Sequence, residues 1–270
     1  MSALKQSQGF TLIEMVSVIV LLGILSAGAT LFIGDSVRIY TDNTRRSELT
    51  HQGRFAIERV SREIRNALPG SIRVQGDCVE FAPIVAASSY LMNVADSKET
   101  SLQAVGFDYV AGIDRRVAVY TIDSKDIYIY GRKAVVDLLS VAGSNGDAQR
   151  QVNFTNFAGV GHKFRSESPS QRFYIVDQPV SFCVRNNQLV RHEDYGWQNS
   201  QATDIPTLGV GLPTAEHIQT IDTDPVTIFT YTPGVLARTS IVHLDMRFNH
   251  DDASDEWVRF SHEVFVRNVP

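Results

Sequence analysis

Residues 15–33 are 19 consecutive residues without a charge, and only Lys5 and Glu14 are charged among the first 34. At 1.5 Å per helical residue this run spans about 28 Å, close to the roughly 30 Å hydrocarbon thickness of a bilayer. Such a helix must lie in lipid or against other apolar helices. Glu14 stands at its entrance, where a carboxylate carried to depth costs about 3 kcal/mol in lipid. A secretory signal peptide fits the position in the chain, with Ala27-Gly28-Ala29 as an A-x-A-like cleavage site, and a one-pass anchor fits the length. Neither supplies Glu14 with a partner.

The stretch Gly9-Phe10-Thr11-Leu12-Ile13-Glu14 follows a short polar leader. It resembles the prepilin processing motif of the type IV pilin and type II secretion pseudopilin superfamily. The resemblance implies that prepilin peptidase cuts between Gly9 and Phe10 and methylates the new N-terminus, making Glu14 the fifth mature residue. It also explains the acid. Cleavage before the apolar run leaves an ammonium on Phe10, and in a filament Glu14 pairs with the ammonium of a neighbouring subunit, so a charge unpaired in lipid gains its partner on assembly. The flanking charges run the other way: Arg38, Arg45 and Arg46 follow the run closely while Lys5 alone precedes it. Long domains translocate despite such flanks, so the motif sets the expected topology. Gly23, Ala27 and Gly28 are small residues at helical spacing where another helix can approach closely.

Helical character continues past the apolar run. Ala56, Ile57, Val60, Ile64, Ala67 and Leu68 recur at steps of three and four, an amphipathic stripe that ends at Pro69-Gly70. The opposite face places Arg54 with Glu58, Glu58 with Arg62 and Arg59 with Glu63 as i, i+4 pairs. A helix continuous over 10–68 would be about 88 Å long. Beyond it, 78–84, 117–122, 127–130, 173–176 and 226–231 read as strands, being rich in β-branched and aromatic residues. Asn186-Asn187 suits a two-residue turn between strands at 179–185 and 188–192. In 242–249, Val242, Leu244, Met246 and Phe248 alternate with polar residues, predicting a strand with one wet face; residues 257–267 return as its hairpin partner. Segments 85–103, 142–171 and 194–225 read as loops.

The expected fold is therefore α+β: a long N-terminal helix, apolar then amphipathic, packed on a mainly antiparallel sheet. The corresponding regions are a leader at 1–9, a transmembrane and filament-core helix at 10–34, its amphipathic continuation at 35–69, and a periplasmic β-rich head at 71–270. This is also the pilin architecture. "GDCVEFAPI" at 76–84, "PVSFCVRNNQLVRH" at 179–192 and "VFVRNVP" at 264–270 are similar to the larger minor pilins of MSHA pili.

Catalytic and metal signatures are missing from the sequence. His192-Glu193 and His262-Glu263 lack the second histidine of H-E-x-x-H. His243 and Asp245 share a strand face without an identifiable third ligand. Asp251, Asp252, Asp255 and Glu256 lack the EF-hand spacing and glycine. Gly159 and Gly161 form only a lone G-x-G, and no P-loop or dinucleotide-binding pattern occurs, so no cofactor is expected. The net charge of −5 gives no basic footprint for nucleic acid.

Cys78 and Cys183 are the only cysteines. Outside the cytosol they can form one disulfide closing a loop of about 100 residues, contributing roughly 4 to 5 kcal/mol on a chain-entropy argument. Two buried free thiols are the alternative. The resemblance implies a non-enzymatic subunit of the bacterial inner membrane and then of a pilus. Its partners would be prepilin peptidase, other major and minor pilins and the inner-membrane assembly platform. A minor pseudopilin of type II secretion is the nearest alternative; a membrane-anchored periplasmic binding protein or hydrolase is one of a different class.

Overall fold

The computed structural model describes residues 10–129, 131–155, 161–219, 227–235, 239–250 and 257–266. Gly9 of the cleavage site, Gly159, and the acidic stretch at 251–256 lie outside them. The chain divides into two units, Met1–Glu48 and Leu49–Pro270.

Helix α1 is Leu12–Arg65. Every described residue of the first unit is exposed. Within the second unit α1 buries Leu49, Gly53, Ala56, Ile57, Val60, Ser61 and Ile64, the stripe its periodicity predicts. The helix closes at Arg65 with two tight turn bonds, Asn66 N–H to Glu63 O and Ala67 N–H to Ile64 O. The Leu68 N–H then bonds to Ala82 O, joining the chain to the sheet just ahead of Pro69, whose ring disfavours a helical residue before it. Of the three predicted i, i+4 pairs only Arg59 with Glu63 forms, at 3.2 Å. Among the described residues Arg54, Glu58 and Arg62 stay unpaired, because exposed pairs gain little over solvation.

Among the described residues, fourteen strands and two short helices follow. In chain order they are β1 (Arg73–Gln75), β2 (Cys78–Phe81), β3 (Ile84–Ser89), β4 (Ser101–Val105), β5 (Arg116–Ala118), α2 (Ser124–Tyr128), β6 (Val135–Ala142) and β7 (Gln149–Thr155). Next come β8 (Arg172–Val176), β9 (Val180–Arg185), β10 (Gln188–His192), α3 (Ile205–Leu208), β11 (Leu212–Ala215), β12 (Phe229–Thr232), β13 (Ser240–Asn249) and β14 (Trp257–Val266). They form three antiparallel sheets, ordered β1-β2-β9-β10-β11, β12-β13-β14 and β3-β8-β5-β6-β7-β4.

The α+β expectation is met, with two large cores and two smaller apolar clusters. In the first, Ala56, Val60 and Ile64 of α1 pack with Phe81, Phe182 and Leu244 from the five- and three-stranded sheets. The second core lies within the six-stranded sheet and includes Tyr90, Leu102, Val117, Phe154, Phe164 and Phe173. All six strands of that sheet come from the continuous stretch 84–176, inserted between β2 and β9. The insertion enters and leaves at one place, since Ile84 pairs with Val176. Its two outer strands also meet, through a Tyr90–Ala104 bridge and a 2.8 Å bond from Leu91 N–H to Gln103 O.

The β9–β10 hairpin turns on Asn186 and Asn187 with φ of 47° and 61°, as that dipeptide predicts. β13 pairs with β14 over its whole length. Several local readings are corrected. Of the strand expected at 127–130, Ile127 and Tyr128 instead belong to α2, whose N-cap Asp123 accepts from Asp126 N–H, and Tyr130 lies outside the described residues. The segments read as loops contain most of β3, all of β7, and α3 with β11. In β7, Arg150 occupies an inward position beside Val152 and Phe154, hiding the alternation. Its guanidinium donates there to Phe107 O at 3.0 Å and to Gly143 O at 2.8 Å. Asp245, expected on a wet face, is buried because Arg259 of β14 donates to it at 2.8 Å.

Candidate functional site: an assembly helix and a clamped insertion

The first turn of α1 is organised by Thr11. Its hydroxyl accepts from Glu14 N–H at 3.4 Å, and its carbonyl accepts from Glu14 and Met15 N–H at 3.1 and 3.2 Å. Thr11-Leu12-Ile13-Glu14 is the T-x-x-E spacing of a capping box. This sequence signal identifies Thr11 as a residue of the site, and the motif-based reading of Gly9, Phe10 and Glu14 passed over it. Glu14 therefore sits in the first turn, where the helix dipole favours an anion. Among the described residues no cation pairs with it.

Phe10 is 79% exposed and Leu12 84%, and the apolar residues after them project outward as well. Two of the hydroxyls in this stretch bond within the helix: Ser17 donates to Ile13 O, and Thr30 donates to Ser26 O at 2.9 Å. Apart from the Ser26 hydroxyl, the apolar span carries no other unmet side-chain hydrogen-bonding group, which suits lipid or a bundle of helices. At Gly23 and Gly28 an added Cβ would meet no atom within 4 Å, so the surface there is open to a neighbour. This helix is long and apolar enough to cross a membrane.

In the second unit, Cys78 and Cys183 form a disulfide, with Cα atoms 4.1 Å apart. They are direct cross-strand partners on β2 and β9 and are buried with Ala202 and Leu208. The bond therefore sits at the root of the inserted sheet. Beside it, fully buried Glu80 on β2 accepts from Arg73 and, at 2.8 Å, from the Tyr195 hydroxyl. Burial pushes the Glu80 carboxyl above its ordinary range, opposed by Arg73 and Tyr195. Arg73 also lies over the Tyr128 ring at 3.7 Å, and Arg116 of β5 over the Trp197 ring at 4.2 Å. The first joins the insertion to β1 and the second joins it to the segment after β10, and cation–π contacts of this kind contribute about 0.5 to 2 kcal/mol.

The histidines are dispersed. His192 is buried on β10, and burial lowers its pKa, favouring the neutral ring. Its neighbour Glu193 is held by Arg191. His243 faces Glu263 across the β13–β14 ladder. Among the described residues no group of three or more His, Cys, Asp or Glu side chains is placed to hold a metal ion.

Residues 4–30 match the family described as the prokaryotic N-terminal methylation motif, consistent with a type IV pilin or pseudopilin. No curated protein and no solved structure matches the chain. The motif implies processing by prepilin peptidase and assembly with other pilins. The apolar N-terminal helix, as in type IV pilins, points to membrane anchoring.

Proposed function

We propose that this chain is a non-enzymatic minor pilin, cut between Gly9 and Phe10, methylated on Phe10, and inserted into a type IV pilus from the inner membrane. The observation that carries this reading is the apolar helix itself. It is exposed along its length, and its one acid, Glu14, has no cation among the described residues. In a filament that acid meets the Phe10 ammonium of a neighbour, a contact that sets register more than it adds stability. The second unit is then the periplasmic head. The head segments that resemble MSHA minor pilins, in particular the MSHA pilus biogenesis protein MshO, favour a role in initiating assembly or at the tip over a pseudopilin of type II secretion.

Mass spectrometry of the N-terminus of the protein from its native membrane tests the processing step. A chain beginning at methylated Phe10 is expected. A start at Thr30 would mean signal-peptide cleavage, an intact leader would mean a simple anchor, and either refutes the proposal. Glu14→Ala is expected to leave membrane insertion unchanged and to reduce incorporation into filaments; equal incorporation would remove the assigned role of Glu14.

A further inference from the structure

A cavity of about 980 Å³ opens in the second unit where the end of α1 meets β3, β8 and the C-terminal end of β14. Arg62 and Arg65 of α1 and Arg172 of β8 line it, together with Ser88, Ser89 and Phe265. Among the described residues none of these three guanidiniums has an acidic partner. The acid nearest in sequence, Glu63, is taken by Arg59 at 3.2 Å and by Arg191 at 2.8 Å. The Asn66 amide is taken by Ile84 O. Arg62 and Arg65 are in the last turn of a helix, where the dipole favours cations. That accounts for two of the three and leaves Arg172, on a strand, unexplained. Three guanidiniums without an acidic partner among the described residues, around one cavity, make a site for a polyanion, and guanidiniums suit carboxylates in particular.

The chain carries a matching polyanion. Residues 251–256 hold Asp251, Asp252, Asp255 and Glu256, four carboxylates in six positions. That segment joins β13 to β14 at the end where Asn249 pairs with Trp257. Phe265, which lines the cavity, is eight residues further along β14, about 26 Å at the usual rise of a strand. A six-residue connection fixed at both ends extends only about 10 Å beyond them. The segment therefore cannot fill the cavity of its own molecule.

We infer that the arginine-lined cavity takes the acidic segment 251–256 of a second copy of this chain. Groove and segment lie at opposite ends of β14, so the contact is head-to-tail. Each pairing leaves one groove and one segment free, and such a contact propagates into a ring or an open filament. The inference goes beyond the pilin reading and does not depend on leader cleavage.

Charge reversal and complementation test it on the full chain in nonionic detergent, with self-association followed by sedimentation velocity. R62E/R65E/R172E, and separately D251K/D252K/D255K/E256K, should each weaken association about tenfold, and added salt should weaken the wild type similarly. Mixing the two reversed variants should restore it. The apolar helix is the same in every sample and adds a constant background. Far-UV circular dichroism checks folding; if the triple variant is unfolded, R62Q/R65Q, on an exposed helix face, should give a smaller loss in the same direction. Association unchanged in both variants overturns the inference, as does loss in the arginine variant alone or failure of the mixture to recover. Anionic vesicles or heparin oligosaccharides that occupy the groove without affecting self-association would also overturn it.

Discussion

Removing the disulfide with Cys78→Ala and Cys183→Ala should cost stability by an amount set by how the inserted sheet unfolds. The cysteines are 105 residues apart. If the whole second unit unfolds together, the denatured chain loses a crosslink over that entire loop, and chain entropy gives about 4.8 kcal/mol. The insertion, however, has its own core, and its ends are held together at Ile84 and Val176. If it stays folded when the root opens, the loop actually closed is only about 14 residues, and the same relation gives about 3 kcal/mol. The difference, about 2 kcal/mol, lies outside the error of a careful denaturant titration.

The assay is urea unfolding of oxidised wild type and the double variant in detergent, followed by tryptophan fluorescence. Both tryptophans, Trp197 and Trp257, lie in the second unit. Trp197 packs against Tyr128 of the insertion, while Trp257 lies on the separate three-stranded sheet. A loss near 5 kcal/mol with a single transition identifies cooperative unfolding, and a loss near 3 kcal/mol with the insertion melting separately identifies a lobe on a hinge. A loss below about 1 kcal/mol would refute the entropic reasoning for both cases. Because both sulfurs belong to buried residues, reductant should open the bond slowly until urea exposes it.

Gly53→Ala should destabilise the second unit even though alanine is the better helix former by about 1 kcal/mol. Its Cβ would lie 2.1 Å from the Phe260 ring, which is packed against Phe248, and overpacking of this kind costs about 1 to 3 kcal/mol; a thermal melt of G53A alone and with Phe260→Leu decides the sign, and a more stable single variant would contradict the packing. Asp245→Asn should flatten the acid limb of the stability curve. The Arg259 hydrogen bond holds that carboxyl below its ordinary range, so its contribution is present above the unfolded pKa and lost as pH falls through the lower, folded one; equal pH dependence in wild type and D245N would rule this out. Ile64→Ala, at a fully buried position of α1, should cost about 2 to 5 kcal/mol in urea titrations, and a cost under 1 kcal/mol would mean that the stripe does not anchor the core.

What could be read from the sequence follows the range of the interaction that decides it. Thr11 and Glu14 are three residues apart and Asn186-Asn187 are adjacent, so both features are written locally. β13 was legible because its alternation over 242–249 is long and regular. Residues 127–130 carry a strand-like composition, but a cap at Asp123 turned the chain into a helix; Asp126 then binds Arg165 at 2.7 Å, 39 residues away. The inward Arg150 of β7 is held by Gly143 O and Asn145 Oδ1 a few residues before it and by Phe107 O, 43 residues away, and that last contact is written in no local window of sequence. The split into two cores was illegible for a related reason. It depends on β2 pairing with β9 across the whole insertion, and strand pairing at that separation is not encoded in either strand's own pattern.

The same distinction separates the residues that hold the fold from those that face partners. From Phe10 to Glu48 every side chain is exposed, and from Phe10 to Thr44 the side-chain hydrogen bonds run within three or four residues. Substitutions between Phe10 and Thr44 are therefore expected to leave the fold of the second unit unchanged. At the Cys78–Cys183 root the reverse holds, since the groups there are buried and bonded to one another. Variants from the two regions share no partners, and effects at such sites add within about 0.5 kcal/mol. Combining Glu14→Ala with Cys78→Ala and Cys183→Ala should therefore leave the urea midpoint where the cysteine changes alone put it. A further shift would mean that Glu14 contributes to the fold of the second unit, and its place as an assembly residue would fall.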